Sequence, residues 1–347
     1  MVAAFFSHAV LAFGLAVEAS PVTKRAVPAG VPKYVIDYAP VVRLFSADPY
    51  RPSDIGATLP NTTPQINFTT VNNIPDPLTL DNLDALNAKD GANIYLTSKQ
   101  DVTTNPVWLN GVAPDSSGSI GDAIGSTIIV VDKGNGVVDA FYMYFYAYNW
   151  GGVLLGFNVG NHVGDWEHNM IRFNNGQPQQ IWFSQHSNGE AFYWNAVQKE
   201  GLRPVVYSSN GSHANYATVG AQDRVLPDLD LPGVVFNDFA DEGPRWDPVL
   251  NSYFYTFDAA ASTFATYDET YPVKYLDFLG KLGDQQYPDS DPRQRNLLDL
   301  GLAYKFTGGP TGPKDKGLNR KNVCPDSDSF CFVRSRLDQR DVGDEIY

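Results

Sequence analysis

The stretch "DAFYMYFYAYNW" (139–150) decides how the rest of the chain is read. Its odd positions are Asp139, Phe141, Met143, Phe145, Ala147 and Asn149; its even positions are Tyr142, Tyr144, Tyr146, Tyr148 and Trp150. Successive side chains of a strand point to opposite faces, so the odd set makes a core face and the tyrosine set a second surface. Tyrosine is apolar in body and polar at its tip. That suits either a second buried layer or the wall of a groove.

Other segments alternate in the same way: 33–45, 126–132, 166–173, 180–186, 191–197, 203–209 and 252–258. Turn-forming "NNGQP" and "HSNGE" separate three of them, as antiparallel hairpins require. Helix is scarce. "TLDNLDALNA" (79–88) is expected to form a short one with Thr79 as its N-cap. The expected fold is mainly β, an antiparallel β-sandwich with long loops and few short helices. Residues 26–307 carry no repeat and no break in composition, so they are expected to form one domain. Residues 308–347 open with "GGPTGPKDKG" and are poor in apolar clusters, which predicts a polar, loosely attached extension.

The 347 residues hold 25 Lys+Arg against 39 Asp+Glu, a formal charge of −14. That excess of acid argues against nucleic acid, whose phosphates demand a basic face, and against attraction to anionic lipid by bulk charge. The first 25 residues read as a signal peptide and short pro-segment. "AVLAFGLAV" (9–17) is far shorter than the roughly 18 residues a membrane span needs, and "VEA" (17–19) has the small residues of a cleavage site. "VTKR" (22–25) adds a dibasic site that leaves Ala26 as the mature start. The expectation is a secreted chain with no transmembrane span. Two cysteines fit it: Cys324 and Cys331 are expected to pair in a small loop that pins a local turn. Asn61, Asn67 and Asn210 each begin an N-x-[ST] sequon and are candidate glycosylation sites.

Histidine is used sparingly. Of five, His8 leaves with the signal peptide, and His162, His168, His186 and His213 follow within one part of the chain. In "NHVGDWEHN" (161–169) a strand would put Asp165 and Glu167 on one face and Trp166 and His168 on the other. Gly164 could allow a bulge or tight turn that turns His162 toward the carboxylates. Two carboxylates and an imidazole suit Ca²⁺, Mg²⁺ or Mn²⁺, with Zn²⁺ open to the histidine. The same groups could serve as a general acid/base pair. His186 and His213 sit in glycine-bearing loops beside serines, as substrate donors, further ligands or partners of the ligands. A Ser–His nucleophile at Ser184 or Ser212 lacks a G-x-S-x-G turn.

"HVGDWEH", "FSQHSNG", "RPVVYSSNGSHANY", "GPRWDP" and "FLGKLGDQQYP" together resemble the vacuolar protein sorting-associated protein 62 family over residues 31–306. More distantly, the core is similar to the necrosis- and ethylene-inducing peptide 1-like proteins, secreted β-sandwich cytolysins whose hallmark reads G-H-R-H-D-W-E. Asn161 to Glu167 keeps the first histidine, the aspartate, the tryptophan and the glutamate; the first glycine, the arginine and the second histidine are replaced. The resemblance implies a divalent-cation site at His162, Asp165 and Glu167, with Asn149 near the place of a further acidic ligand. It also implies a glycan or glycolipid headgroup as partner.

Three functions follow as expectations. The first is a secreted, cation-dependent binder of a glycan or lipid headgroup, whose ligand meets Asn149, Trp150, Trp166, His186, Ser212 and His213. The second is a metal-assisted hydrolase or lyase on polysaccharide or phosphoester, with His168, His186 or His213 moving protons. The third is a vacuolar trafficking factor. The sequence decides neither turnover nor oligomeric state.

Overall fold

A computed structural model describes residues 26–223, 236–297, 301, 303–327 and 331–338. The signal-peptide and dibasic readings lie outside the described residues. The chain enters through a five-residue helix, α1 (Lys33–Asp37), and a short strand, β1 (Val41–Arg43). Five long strands follow: β2 (Ser126–Gly134), β3 (Val137–Asn149), β4 (His162–Asn174), β5 (Gln177–Gln185) and β6 (Asn188–Tyr193). Later strands include β7 (Arg203–Ser208), β8 (Asn237–Ala240), β9 (Arg245–Trp246), β10 (Ser252–Asp258), β11 (Thr263–Thr266) and β12 (Val333–Arg334).

The main sheet runs β11-β10-β2-β3-β4-β5-β6-β12. Its centre is antiparallel, as the hairpin turns predict, but β10 joins β2, and β12 joins β6, in parallel. A smaller sheet, Lys199–Glu200, β7, β1 and β9, lies against one face, with β1 and β7 parallel. The molecule is a mainly β sandwich with mixed strand direction.

Residues 139–149 are buried throughout, so both faces of β3 are core. Phe145 packs on Trp166 with ring centroids 5.0 Å apart. On the other face the Tyr142 hydroxyl donates to the Val35 carbonyl (2.6 Å), that of Tyr144 donates to Asn169 (2.9 Å), and the Tyr144 ring meets Trp246. The tyrosine row is therefore a buried layer and not a groove wall. The three innermost hydroxyls find partners, that of Tyr146 meeting Ser208 Oγ at 3.4 Å; without one, burial would cost ~1–3 kcal/mol per group. Asp139, also fully buried, is held by a bidentate pair from Arg172 at 2.7 Å.

Three expected elements differ, the smallest departure being 191–197, where the strand ends at Tyr193 and Trp194–Ala196 form a 3-10 turn. Residues 33–45 do not form one strand: Lys33 and Asp37 pair across one helical turn, and Pro40 precedes the short β1. The 79–88 helix is a 3-10 helix at Leu83–Lys89 whose flanking residue is Asn82, and the Thr79 hydroxyl caps nothing in it. Its apolar spacing held: Leu83 and Leu86, three residues apart, are buried on the side that a three-residue turn aligns.

The larger correction concerns the tail. Leu318, Val323 and Cys324 belong to the main core, and β12 extends the main sheet. Arg320 is buried, its guanidinium 5.1 Å from the Phe141 ring, and Arg172 bonds the Arg320 and Lys321 carbonyls. Few but well-placed apolar residues fasten a segment that composition alone makes look loose. Cys324 and Cys331 form the expected disulfide.

Candidate functional site

The site lies at the end of β3 and β4 remote from the β2–β3 turn. Register places Tyr146 opposite Asp165 and Tyr144 opposite Glu167. The two carboxylates occupy alternate positions of β4, hence one face, and are 6% and 4% exposed. No residue is inserted between β3 and β4, so of the two ways open to Gly164, a bulge or a tight turn, the bulge is absent. Gly164 instead adopts φ +70°, which breaks the alternation without shifting the register. A Cβ there would lie 1.9 Å from the Leu282 carbonyl oxygen, so only glycine fits. His162 consequently stands within electrostatic reach of Asp165, His186 and His213. Its Nδ1–H donates to the Gly164 carbonyl at 2.6 Å. Burial holds its pKa below the usual value, so the ring is neutral and Nε2 keeps its lone pair.

His213 is clasped on every side. Nδ1–H donates to Asp165 at 2.9 Å, Nε2–H to the Tyr50 carbonyl at 3.2 Å, and Asp48 stands 3.4 Å from Nε2. The ring stacks on Tyr146, centroids 3.7 Å apart and 3° from parallel. Burial disfavours the imidazolium, but hydrogen bonds and charge from Asp165 and Asp48 outweigh it and push the pKa up to about 9. Only a doubly protonated ring satisfies acceptors at both nitrogens. Burial opposes ionisation of Asp165 too, yet the neighbouring histidines hold its pKa below the ordinary value. At Glu167 the opposing charges of Lys316 and His213 are outweighed. Burial first, then the Asp165 charge, raises its carboxyl well above the usual range, and its partner is the Ser184 hydroxyl.

A second network adjoins the first. Buried Asp238 takes hydrogen bonds from Ser212 (2.9 Å), Tyr216 (2.8 Å) and His186 (2.7 Å). Asp238 lies between Ser212 and His186, so the order is Ser–Asp–His and the imidazole does not face the serine it would have to deprotonate. Ser184 is turned to Glu167, away from any histidine nucleophile role.

Other expected residues are placed differently. His168 lies on the opposite face of β4 from Asp165, buried and bonded to Arg320 at 2.6 Å. Burial and the Arg320 charge hold it well below its ordinary pKa, as a neutral core histidine. Trp166 is wholly buried and offers no ligand contact. Trp150 is half-buried and buttresses the His213 loop: its N–H donates to the Gly211 carbonyl (2.8 Å), and a Cβ on Gly211 would lie 2.7 Å from its ring. Asn149 pairs across the sheet with His162, but its Nδ2 is spent on the Gly160 carbonyl at 2.9 Å. Of the sequons, Asn67 is exposed in a hairpin turn, Asn61 closes a 3-10 turn, and Asn210 lies in the His213 loop, where the Ser212 hydroxyl is buried. Asp48, Tyr50 and Asp238 went unread. They carry no motif and reach the site only through the fold.

Among the described residues, no three His, Cys, Asp or Glu side chains already stand close enough together to hold a metal ion. The donor chemistry nevertheless suits a hard divalent cation. One atom each of His162, Asp165 and Glu167 is fixed by a neighbour, leaving Nε2 and one carboxylate oxygen apiece without a hydrogen bond among the described residues. No described helix is long and apolar enough to cross a membrane.

A family profile described as vacuolar protein sorting-associated protein 62 matches residues 152–240. The vacuolar protein sorting-associated protein TDA6 of Saccharomyces cerevisiae is 38% identical over 330 residues, covering 86% of this chain and 69% of that protein. Vacuolar protein sorting-associated protein 62 of the same yeast is 35% identical over 322 residues, covering 85% and 68%. Among solved structures, NLPPya in complex with mannosamine overlays with a TM-score of 0.31 at 11% identity, covering 68% of this chain and 79% of that one. Necrosis and Ethylene inducing Protein 2, from the causal agent of cocoa's Witches Broom disease, gives 0.28 at 13%, covering 56% and 72%. Overlays this loose carry no argument, and the ligand question falls to the site itself.

Proposed function

We infer that this chain, which belongs to the vacuolar protein sorting-associated protein 62 family, binds a glycan or glycosylated lipid headgroup at the Asp165–Glu167 end of its main sheet, bridged by a divalent cation. One observation carries the reading: two buried carboxylates share one face of β4, and the second is hydrogen-bonded, among the described residues, only to a hydroxyl. Like charges this close, out of water, repel strongly, and a doubly charged ion removes that cost. His162 Nε2, Asp165 and Glu167 would hold it, with His213 and Ser184 orienting the two carboxylates. The oxygens favour Ca²⁺, Mg²⁺ or Mn²⁺; the imidazole leaves Zn²⁺ open. When bound, the ion supplies electrostatic attraction for hydroxyl or phosphate oxygens of a ligand.

Calorimetric titration with each of the four ions tests this. The native chain is expected to bind one of them, and Asp165→Asn with Glu167→Gln to bind none while melting as a folded protein. Identical titrations overturn the reading. Glycan and lipid arrays, with and without chelator, then identify the ligand class.

The hydrolytic alternative keeps one supporting observation: His186 pairs with Asp238 while its side chain stays 20% exposed, a fit geometry for proton transfer. It requires turnover on a glycan or phosphoester panel that disappears in His186→Ala. Secretion with cleavage after Arg25 is likewise a proposal, supported by the disulfide, which persists in oxidising compartments. Recovery from culture medium of a chain beginning at Ala26 would bear it out. An intact N-terminus found only in cells would favour the trafficking alternative that the relatives' names suggest.

A further inference from the structure

At the other end of the main sheet lies an open cavity of about 870 Å³. It is built where the segments around Pro32 and Asn319 meet the β2–β3 turn and the β10–β11 turn. Pro32 and Tyr34 come from the N-terminal side, Asn319 from the C-terminal segment, and Asp132 to Gly134 and Phe257 to Ala260 from the two turns. From Val138, which lines it, to Tyr146, which faces Asp165, β3 runs roughly 27 Å at ~3.4 Å per residue. The cavity is thus a place apart from the candidate cation site.

Its lining combines aromatic faces with hydrogen-bonding groups that the fold leaves available. Tyr34 and Tyr267 are half-buried, and neither hydroxyl makes a hydrogen bond among the described residues. Asp132 stands within electrostatic reach of the Tyr34 phenol, and Tyr34 within reach of Tyr267. Asp132 accepts from the Gly134 N–H, and Asp258 from the N–H groups of Ala260 and Ala261. In each case Oδ1 alone is used among the described residues, which leaves Oδ2 to accept from a ligand hydroxyl. Lys133 is tied to Asn319.

We propose that this cavity is a second binding site, for a neutral polyhydroxylated ligand, a glycan chain, taken without a metal ion. Its size lies in the ~300–1,000 Å³ range of ligand pockets. Two carboxylates against one lysine disfavour an anion. The ring of polar groups disfavours an acyl chain, which would leave them unpaired. Flat aromatic faces beside paired acceptors match the apolar ring faces and vicinal hydroxyls of a sugar, each with its own kind of contact.

The test is an array of neutral glucose-, mannose- and N-acetylglucosamine-based oligosaccharides, probed with the full chain in excess EDTA. Binding is expected to persist there and to weaken more than ~10-fold, about 1.4 kcal/mol, in Tyr267→Ala and in Asp132→Asn. Asp132→Asn keeps the Oδ1 that the turn requires, so thermal unfolding should match the native chain. Asp165→Asn with Glu167→Gln should bind in EDTA as the native chain does, which separates failure of this proposal from failure of the cation reading. A chain that binds no neutral glycan in EDTA, or binds equally in both cavity variants, overturns the proposal.

Discussion

A methyl group at Gly164 would meet the Leu282 carbonyl oxygen at 1.9 Å, on a backbone already at φ +70°. Gly134 has a similar φ of +78° but nothing within 4 Å of an added Cβ. The pair separates backbone strain from steric clash. Gly134→Ala is expected to cost about 1 kcal/mol, from the left-handed backbone alone, and Gly164→Ala about 3 kcal/mol or more. Urea unfolding checks both, and equal losses would mean that contact with Leu282 is not what requires glycine. His213 yields a pH prediction. Its pKa is raised from 6.5 to about 9, so between those values the folded chain holds a proton that the unfolded chain releases. Its contribution is complete below pH 6.5 and is lost as pH rises toward 9, on the order of 3 kcal/mol in all. Urea midpoints in chelator should fall across that window, and the His213→Gln chain should show a shallower fall. Glu167, also raised, pulls in the same direction, so the difference between the two chains is the quantity to read. At this scale the histidines of "NHVGDWEHN", "FSQHSNG" and "GSHA" were legible because a scarce residue was concentrated there. Their partners Asp48 and Asp238 were not, since an isolated aspartate carries no signal until folding brings it near an imidazole.

Strands announced themselves by alternation, and Ser252–Asp258 lies where its pattern places it. Alternation shows that two faces differ; it does not show what covers them. The tyrosines of β3 are compatible with a groove until the second sheet is seen lying on them. The parallel pairing of β2 with β10 was equally hidden, because partners so distant in sequence leave no turn to read. The C-terminal segment reverses the usual lesson of composition. Leu318 is 2% exposed in the main core, so Leu318→Ala should cost about 2–4 kcal/mol. A loss below about 0.5 kcal/mol in chemical denaturation would return the tail to the status of a loose extension.

Across the whole molecule, β3 and β4 act as a rod with different chemistry at each end. One end concentrates buried carboxylates and imidazoles; the other opens a cavity rimmed by phenols and solvent-facing acids. The charge of −14 fits both, since one end calls for a cation and the other disfavours anions. The family and the mainly β fold could be read before any coordinates, because several motifs agreed. What the chain binds is a property of how distant segments meet. The most direct measurement is anomalous scattering from crystals soaked in Mn²⁺. The account predicts a peak ~2.0–2.6 Å from His162 Nε2 and from carboxylate oxygens of Asp165 and Glu167. No peak there, or one only at Asp132 and Asp258, would contradict it.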